Sequence, residues 1–172
     1  MALIVGIDPG SRCTGFGIIR QQGGRISYVA SGCIRTTHEN FPQRLHQIYL
    51  DLNEVIESYR PDEAAIEQVF LGKSVSSAFK LGQARGAALV ALSSQGLSVT
   101  EYSARQIKQS IVGRGAAEKQ QIQHMVCQLL GLGSQPPEDA ADGLAVALCH
   151  AYQRKALARV PGMEKIRQGR VQ

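Results

Sequence analysis

A chain of 172 residues, 44% hydrophobic and 19% charged, holds one globular domain with a sizeable core and is too short for two ordinary ones. No apolar run reaches the roughly 18 to 20 residues that span a bilayer, and the N-terminus lacks the basic-then-apolar pattern of a signal peptide, so a soluble cytoplasmic protein is expected. The net charge of +5 is unevenly spread: residues 151–172 alone sum to +5, residues 71–137 carry seven basic residues against two acids, and residues 138–150 carry three acids and no base. A basic middle and tail fit a polyanionic partner as well as a merely solvated surface.

In chain order, residues 3–8, 13–20 and 26–35 read as three strands joined by Pro9-Gly10-Ser11 and Gln22-Gly23-Gly24, turn chemistry suited to an antiparallel meander. From residue 41 the period changes. Leu45, Ile48, Tyr49, Leu52, Val55, Ile56 and Tyr59 recur at three and four, the apolar face of a helix that Pro61 stops. Ala64-Ala65-Ile66 is a short buried strand with a polar end, Glu67-Gln68. A helix over 75–94 follows, with Ala78, Leu81, Ala88 and Leu92 inward and Gly96 past its end. Residues 97–102 form the fifth strand. Ser103 and Gln106 make a capping box for a short helix ending near Gly113, and a helix over 117–130 puts Ile122, Met125, Val126, Leu129 and Leu130 on one face. After Pro136-Pro137 the last helix runs over 138–157, with Ala141, Leu144, Leu148 and Tyr152 inward. The order βββαβαβααα predicts an α/β domain over 1–157, a mixed five-stranded sheet flanked by helices, followed by a basic tail, 158–172, predicted to be disordered.

Three places hold acids that local structure does not explain. Asp8 ends an apolar strand and Glu67 ends another; a carboxylate there is costly unless solvated, paired or bound to a cation. Asp139 and Asp142, three apart in the first turn of the last helix, point to about the same side. Taken singly, each has a plainer use: Asp139 and Asp142 favour a helix N-terminus, Asp8 suits a turn, and Glu67 suits a surface pair. Together they form a hard, oxygen-only set suited to Mg2+ or Mn2+, able to hold two ions for phosphodiester hydrolysis. The acid and glycine-rich turn at Asp8-Pro9-Gly10-Ser11 also resembles the phosphate cradle of the actin, hexokinase and Hsp70 ATPases, but those bind nucleotide between two such domains and this chain supplies one. A Walker A loop fails because Gly72-Lys73-Ser74 lacks its upstream glycine, and Gly15-Phe16-Gly17 lacks the third glycine of a dinucleotide fingerprint.

Lys73, Lys80 and Arg85 follow the Glu67 strand, while Arg105, Lys108, Arg114 and Lys119 precede the Asp139/Asp142 helix, so positive segments flank the acids where a phosphate backbone would approach. Phe70 is either a core anchor or an aromatic that stacks on unpaired bases. The four cysteines, Cys13, Cys33, Cys127 and Cys149, form no CxxC or Cys/His ligand spacing and read as buried thiols; the four histidines give no ligand pattern either.

The runs Gly6-Ile7-Asp8-Pro9-Gly10-Ser11-Arg12-Cys13-Thr14-Gly15, Ile66-Glu67-Gln68-Val69-Phe70, Lys80-Leu81-Gly82-Gln83-Ala84-Arg85-Gly86, Ala104-Arg105-Gln106-Ile107-Lys108-Gln109, Ala117-Glu118-Lys119 and Asp139-Ala140-Ala141-Asp142 closely resemble the bacterial RuvC Holliday-junction resolvases over about residues 1–153. The resemblance implies an RNase H-like fold and a homodimer that nicks two opposed strands of four-way junction DNA. It also implies Mg2+, with Mn2+ able to substitute, at two ions per active site, and cooperation with the RuvAB branch-migration motor. By position, Asp8, Glu67, Asp139 and Asp142 look like the metal-binding catalytic carboxylates. Lys108 and Lys119 look like basic residues near the cleaved strand, and Phe70 like the aromatic at the opened junction centre. Two other readings stay open: an RNase H-like nuclease of the YqgF type acting on RNA, and a DNA-binding module with a vestigial site.

Overall fold

The computed structural model describes residues 1–69 and 74–157. Three strands open the chain: β1 (Ala2–Asp8), β2 (Cys13–Gln22) and β3 (Arg25–Arg35). Next come α1 (Phe41–Tyr59), β4 (Glu63–Glu67), α2 (Val75–Ser94) and β5 (Val99–Tyr102). Three helices, α3 (Ala104–Val112), α4 (Lys119–Leu130) and α5 (Glu138–Leu157), close the described part. The strands form one sheet in the order β3-β2-β1-β4-β5, antiparallel across β3, β2 and β1 and parallel from β1 through β4 to β5. Sequence order and mixed sheet agree with the expected architecture. The expected tail, 158–172, lies outside the described residues.

Alternation along the strands splits the core into two layers. Val5, Ile7, Ile18, Ala64 and Ile66 face α1 and α2, while Ala2, Ile4, Ile19, Ala65 and Tyr102 face α5, α3 and α4. Helix α5 is the central one: from Gly143 to Ala151 every residue is buried, because α5 is enclosed by the sheet on one side and α3 and α4 on the other. Asp142 is the residue of that stretch's N-terminal edge left partly open.

Several inward faces differ from the periodicity. In α2 the buried residues are Ala84, Ala88, Ala91 and Leu92; Ala78 and Leu81 are only half-buried, since α2 packs against the core through its C-terminal half. Leu129 and Tyr59 are largely exposed, and Tyr152 is half-buried. Of the cysteines only Cys149 is buried; Cys13, Cys33 and Cys127 are half-buried. The capping box is present, with Ser103 Oγ accepting from Gln106 N at 3.3 Å and Ser103 N donating to Gln106 Oε1 at 2.9 Å, and Gly113 closes α3 in the left-handed conformation at φ 80°.

Candidate active site

The register brings the strand-end acids together. Asp8 lies opposite Gly15 of β2, and on its other side Ile7 lies opposite Ile66 of β4, so the next residues, Asp8 and Glu67, end adjacent parallel strands side by side. Both belong to the α5 face of the sheet, as Ile4 of β1 and Ala65 of β4 do. Helix α5 can reach them because the positions directly beneath it, Gly6, Gly15 and Gly17, have no side chains. A Cβ on Gly15 would stand 1.8 Å from the Asp139 carbonyl oxygen, one on Gly17 2.4 Å from Leu144 N, and one on Gly6 2.3 Å from Ala147 N. From the other side, a Cβ on Gly143 would meet the Phe16 carbonyl carbon at 2.6 Å. The backbone of α5 therefore lies directly on β1 and β2, with its first turn at their acidic end. Gly15-Phe16-Gly17 falls short of a nucleotide fingerprint, and Gly15 and Gly17, as glycines inside a strand, are instead a signal of close backbone approach.

A second set of contacts fixes this arrangement. His150 of α5 is 6% exposed; its Nδ1 meets the Tyr102 hydroxyl at 2.9 Å and its Nε2 lies 2.8 Å from Glu63 Oε2. Burial pushes the Tyr102 hydroxyl up to about 12, so it stays protonated beside the imidazole. Arg154 Nε lies 2.9 Å from Glu63 Oε1. Glu63 begins the strand that Glu67 ends, so β4, β5 and α5 are tied together by buried and partly buried polar contacts that the sequence does not advertise.

The result is a cleft of about 230 Å³ lined by Asp8, Glu67, Lys108, Lys119 and Asp142 over an apolar floor that includes Ile107, Ile122 and Ala145. A larger groove of about 900 Å³ between β3 and the loop after α4 carries no acid. The acids in the cleft repel one another in a partly dry space. Desolvation, then the charges of Glu67, Asp142 and Asp139, push Asp8 up to about 8, against the pull of Lys119. Desolvation and Asp142 push Glu67 up to about 7, and Lys108 and Lys119 oppose this. Asp142 rises to about 6, mainly through desolvation. Three carboxylates stay raised in one cleft despite Lys108 and Lys119, so negative charge there is only partly offset, and their hard oxygen donors fit a small divalent cation.

Asp139 belongs to the same charge cluster but does not line the cleft; its carboxylate is gathered with the thiols of Cys13 and Cys33. Burial and the facing Asp139 push the Cys13 thiol up to about 12. The basic residues divide in the same way. Lys108 and Lys119 line the cleft, Lys119 paired with Glu138 at the start of α5. Lys80, Arg105 and Arg114 are exposed. Arg85 is turned inward: Nε donates to the Glu67 carbonyl at 3.2 Å and Nη2 pairs with Glu101, so the guanidinium braces the strand end that holds Glu67. Phe70 and Lys73 lie outside the described residues.

Comparison with known proteins agrees with this geometry. The family model described as crossover junction endodeoxyribonuclease RuvC matches residues 4–150. A crossover junction endodeoxyribonuclease RuvC of Tolumonas auensis is 57% identical over 162 residues, 94% of each chain, and one of Hahella chejuensis is 52% identical over 171 residues, 99% of each. Thermus thermophilus RuvC, solved in complex with Holliday junction substrate, superposes with a TM-score of 0.83 at 34% identity, covering 91% of this chain and 97% of its own. The yeast mitochondrial Holliday junction resolvase Ydc2 shares the fold at a TM-score of 0.68 and 12% identity. A match over nearly the whole chain, on a sheet whose acidic end carries the expected carboxylates, makes this protein a member of the RuvC family of crossover junction endodeoxyribonucleases.

Proposed function

We propose that this protein is a structure-specific endonuclease that resolves four-way DNA junctions by paired nicks in two opposed strands, serving recombination and repair. The observation that carries the reading is the convergence of Asp8, Glu67 and Asp142 with Lys108 and Lys119 in one cleft, in a chain of the RuvC family. Asp8, Glu67, Asp139 and Asp142 are the residues that would hold Mg2+, or Mn2+, at two ions per site, with Asp8 central. Bound there, the cations would supply Lewis-acid stabilisation of charge at the scissile phosphate. Their fit rests on the donor set, oxygen-only and short of positive charge in its metal-free form.

The chain's own groups do the rest. The carboxylates, ionised once cations are present, orient attacking water in line with the scissile bond, leaving a 5′-phosphate and a 3′-hydroxyl. Lys108 and Lys119, fixed positive charges on the rim, stabilise the charge that develops on the phosphate. Lys80, Arg105 and Arg114 are exposed cations for backbone contact, joined by Lys73, with Phe70 as the aromatic at the opened junction centre; Arg85 acts by bracing the Glu67 strand end. One chain holds one site, so paired nicks require a homodimer. Cooperation with the RuvAB motor and a cytoplasmic location follow from the family reading; among the described residues no helix is long and apolar enough to cross a membrane.

The test is incubation with labelled four-way junction, linear duplex and structured RNA, with and without Mg2+. Symmetric paired nicks confined to the junction and dependent on Mg2+ support the proposal, as does their loss with retained junction binding in Asp8→Asn. RNA cleavage, or a metal-independent shift without product, overturns it.

A further inference from the structure

The row of residues across the acidic end of the sheet runs Cys33, Gly15, Asp8 and then Glu67. Gly15 is where the first turn of α5 touches the sheet, so Asp139 stands on a divide, with the carboxylate cleft on one side and the β2–β3 hairpin on the other. On the hairpin side are two thiols. Cys13 is opposite Arg35 and Cys33 opposite Gly15, which makes them diagonal neighbours on the α5 face. One ligand atom from each of Cys13, Cys33 and Asp139 lies within 4.8 Å of the others.

We propose that Cys13, Cys33 and Asp139 form a second cation site, selective for a thiophilic divalent ion of the zinc class, and that filling it withdraws Asp139 from the catalytic carboxylates and stops cleavage. Ligands at about 2.3 Å for sulfur and 2.1 Å for oxygen around a tetrahedral ion stand about 3.5 to 3.8 Å apart, so the trio closes on zinc by side-chain adjustment alone. A disulfide suits the pair less well. Diagonal neighbours in a sheet have Cα atoms about 7 to 8 Å apart, at or beyond the limit of about 7 Å for bridging without backbone movement.

The ligand chemistry separates the two sites. Two sulfurs and one oxygen select a borderline-soft ion and reject Mg2+, whereas the oxygen-only cleft selects Mg2+. Binding forms two metal–sulfur bonds and one metal–oxygen bond and releases the protons of the two thiols to solvent. The three side chains leave the fourth position of a tetrahedral ion to water. Asp139 is the residue the two sets share, and its carboxylate, which already lies with the thiols and does not line the cleft, would be held there by zinc. The inhibitory part of the proposal rests on the assignment of Asp139 to the catalytic set; the binding part does not.

The experiment uses the full chain with a non-chelating phosphine reductant and excess Mg2+, and Co2+ as the spectroscopic probe. Wild type is expected to take up one Co2+ per chain with a thiolate-to-cobalt charge-transfer band that stoichiometric Zn2+ abolishes. Cys33→Ser and Cys13→Ser lose the band, and Cys127→Ser and Cys149→Ser keep it. Asp139→Asn keeps a band but weakens binding at least about tenfold, the least that loss of a direct ligand should cost. In the cleavage arm, Zn2+ at one equivalent in excess Mg2+ slows junction nicking at least tenfold in wild type and less than twofold in Cys33→Ser, by the same affinity difference. Absence of the band, its survival in Cys33→Ser, or loss of two free thiols on air oxidation without metal overturns the site. A normal band with no inhibition overturns the link to Asp139. A normal band in a chain that cuts no junction under any condition overturns the nuclease reading and leaves the binding site standing.

Discussion

Neutralising Asp8 should make the metal-free protein more stable, although it removes the group proposed as central to catalysis. Asp8 ionises near 8 in the fold against 3.8 for an unperturbed side chain. Because the folded value is the higher one, this group's stabilising effect is complete below about pH 4 and is lost as pH rises toward 8. At about 1.4 kcal/mol per pH unit, the raised carboxyl costs the fold up to about 5 kcal/mol at pH 8, and about 2 kcal/mol at pH 5, where the cost is that of taking up the proton. Protons shared among Asp8, Glu67 and Asp142, and water in the open cleft, reduce both figures by about half. Asp8→Asn keeps the volume and removes the charge. In EDTA it should therefore gain about 2 to 3 kcal/mol at pH 8, raising Tm by about 5 to 10 °C, and at most about 1 kcal/mol at pH 5. Urea and thermal unfolding at the two pH values measure this. Mg2+ at pH 8 should stabilise wild type and leave Asp8→Asn nearly unchanged, since only the folded wild-type site binds it well. A variant no more stable than wild type at pH 8, or one whose gain is equal at the two pH values, would refute the account of the cleft as an uncompensated acid cluster.

Gly15→Ala puts a methyl carbon where the Asp139 carbonyl oxygen stands, so α5 must lift; a loss of about 3 kcal/mol is expected in urea unfolding, with cleavage lost even where the chain is folded. Wild-type stability and nicking in that variant would contradict the close-approach argument. Glu63→Ala leaves His150 Nε2 and Arg154 Nε without their carboxylate partner and should cost about 2 to 3 kcal/mol, read as a shift of the denaturation midpoint, while the isosteric Glu63→Gln should cost less. Lys108 and Lys119 both lower Glu67 and Asp142, so removing either cation raises those acids and should move the acidic limb of the Mg2+-dependent cleavage profile to higher pH. An unmoved limb in Lys108→Ala and Lys119→Ala would separate these lysines from the carboxylates.

The ten elements of the described residues are legible in the sequence because each has one dominant period and its own punctuation: Pro61 after α1, Ser103 and Gly113 around α3, Pro136-Pro137 before α5. Asp8 and Glu67 stand out for a similarly local reason, charge at the end of an apolar strand, and Asp139 and Asp142 by their spacing of three on a helix. What is illegible is relational. Gly15, Gly17 and Gly143 look like weak points in a strand and a helix until the two backbones are seen to touch, and His150 looks like any helical histidine until Glu63 and Tyr102 arrive from other strands. The inner faces of α2 follow from where the core ends, which periodicity does not encode.

The cysteine pair lies between these cases. Cys13 is ten residues before Gly23 and Cys33 nine after Gly24, so a hairpin turning at those glycines brings the two thiols near one another across its strands. Alternation alone leaves the face undecided, and a register slip of one residue would turn one thiol away. The chain contains such a slip, a bulge at Ile18/Ile19 that shifts the β2–β3 pairing by one between the turn and the cysteines. Beyond the bulge Cys33 falls opposite Gly15 and shares the α5 face with Cys13, and Asp139 descends onto the glycine between the thiols and Asp8. Cysteine spacing suggests the encounter, but the bulge and the bare glycine decide that Asp139, a carboxylate of the proposed catalytic set, is the third party to it.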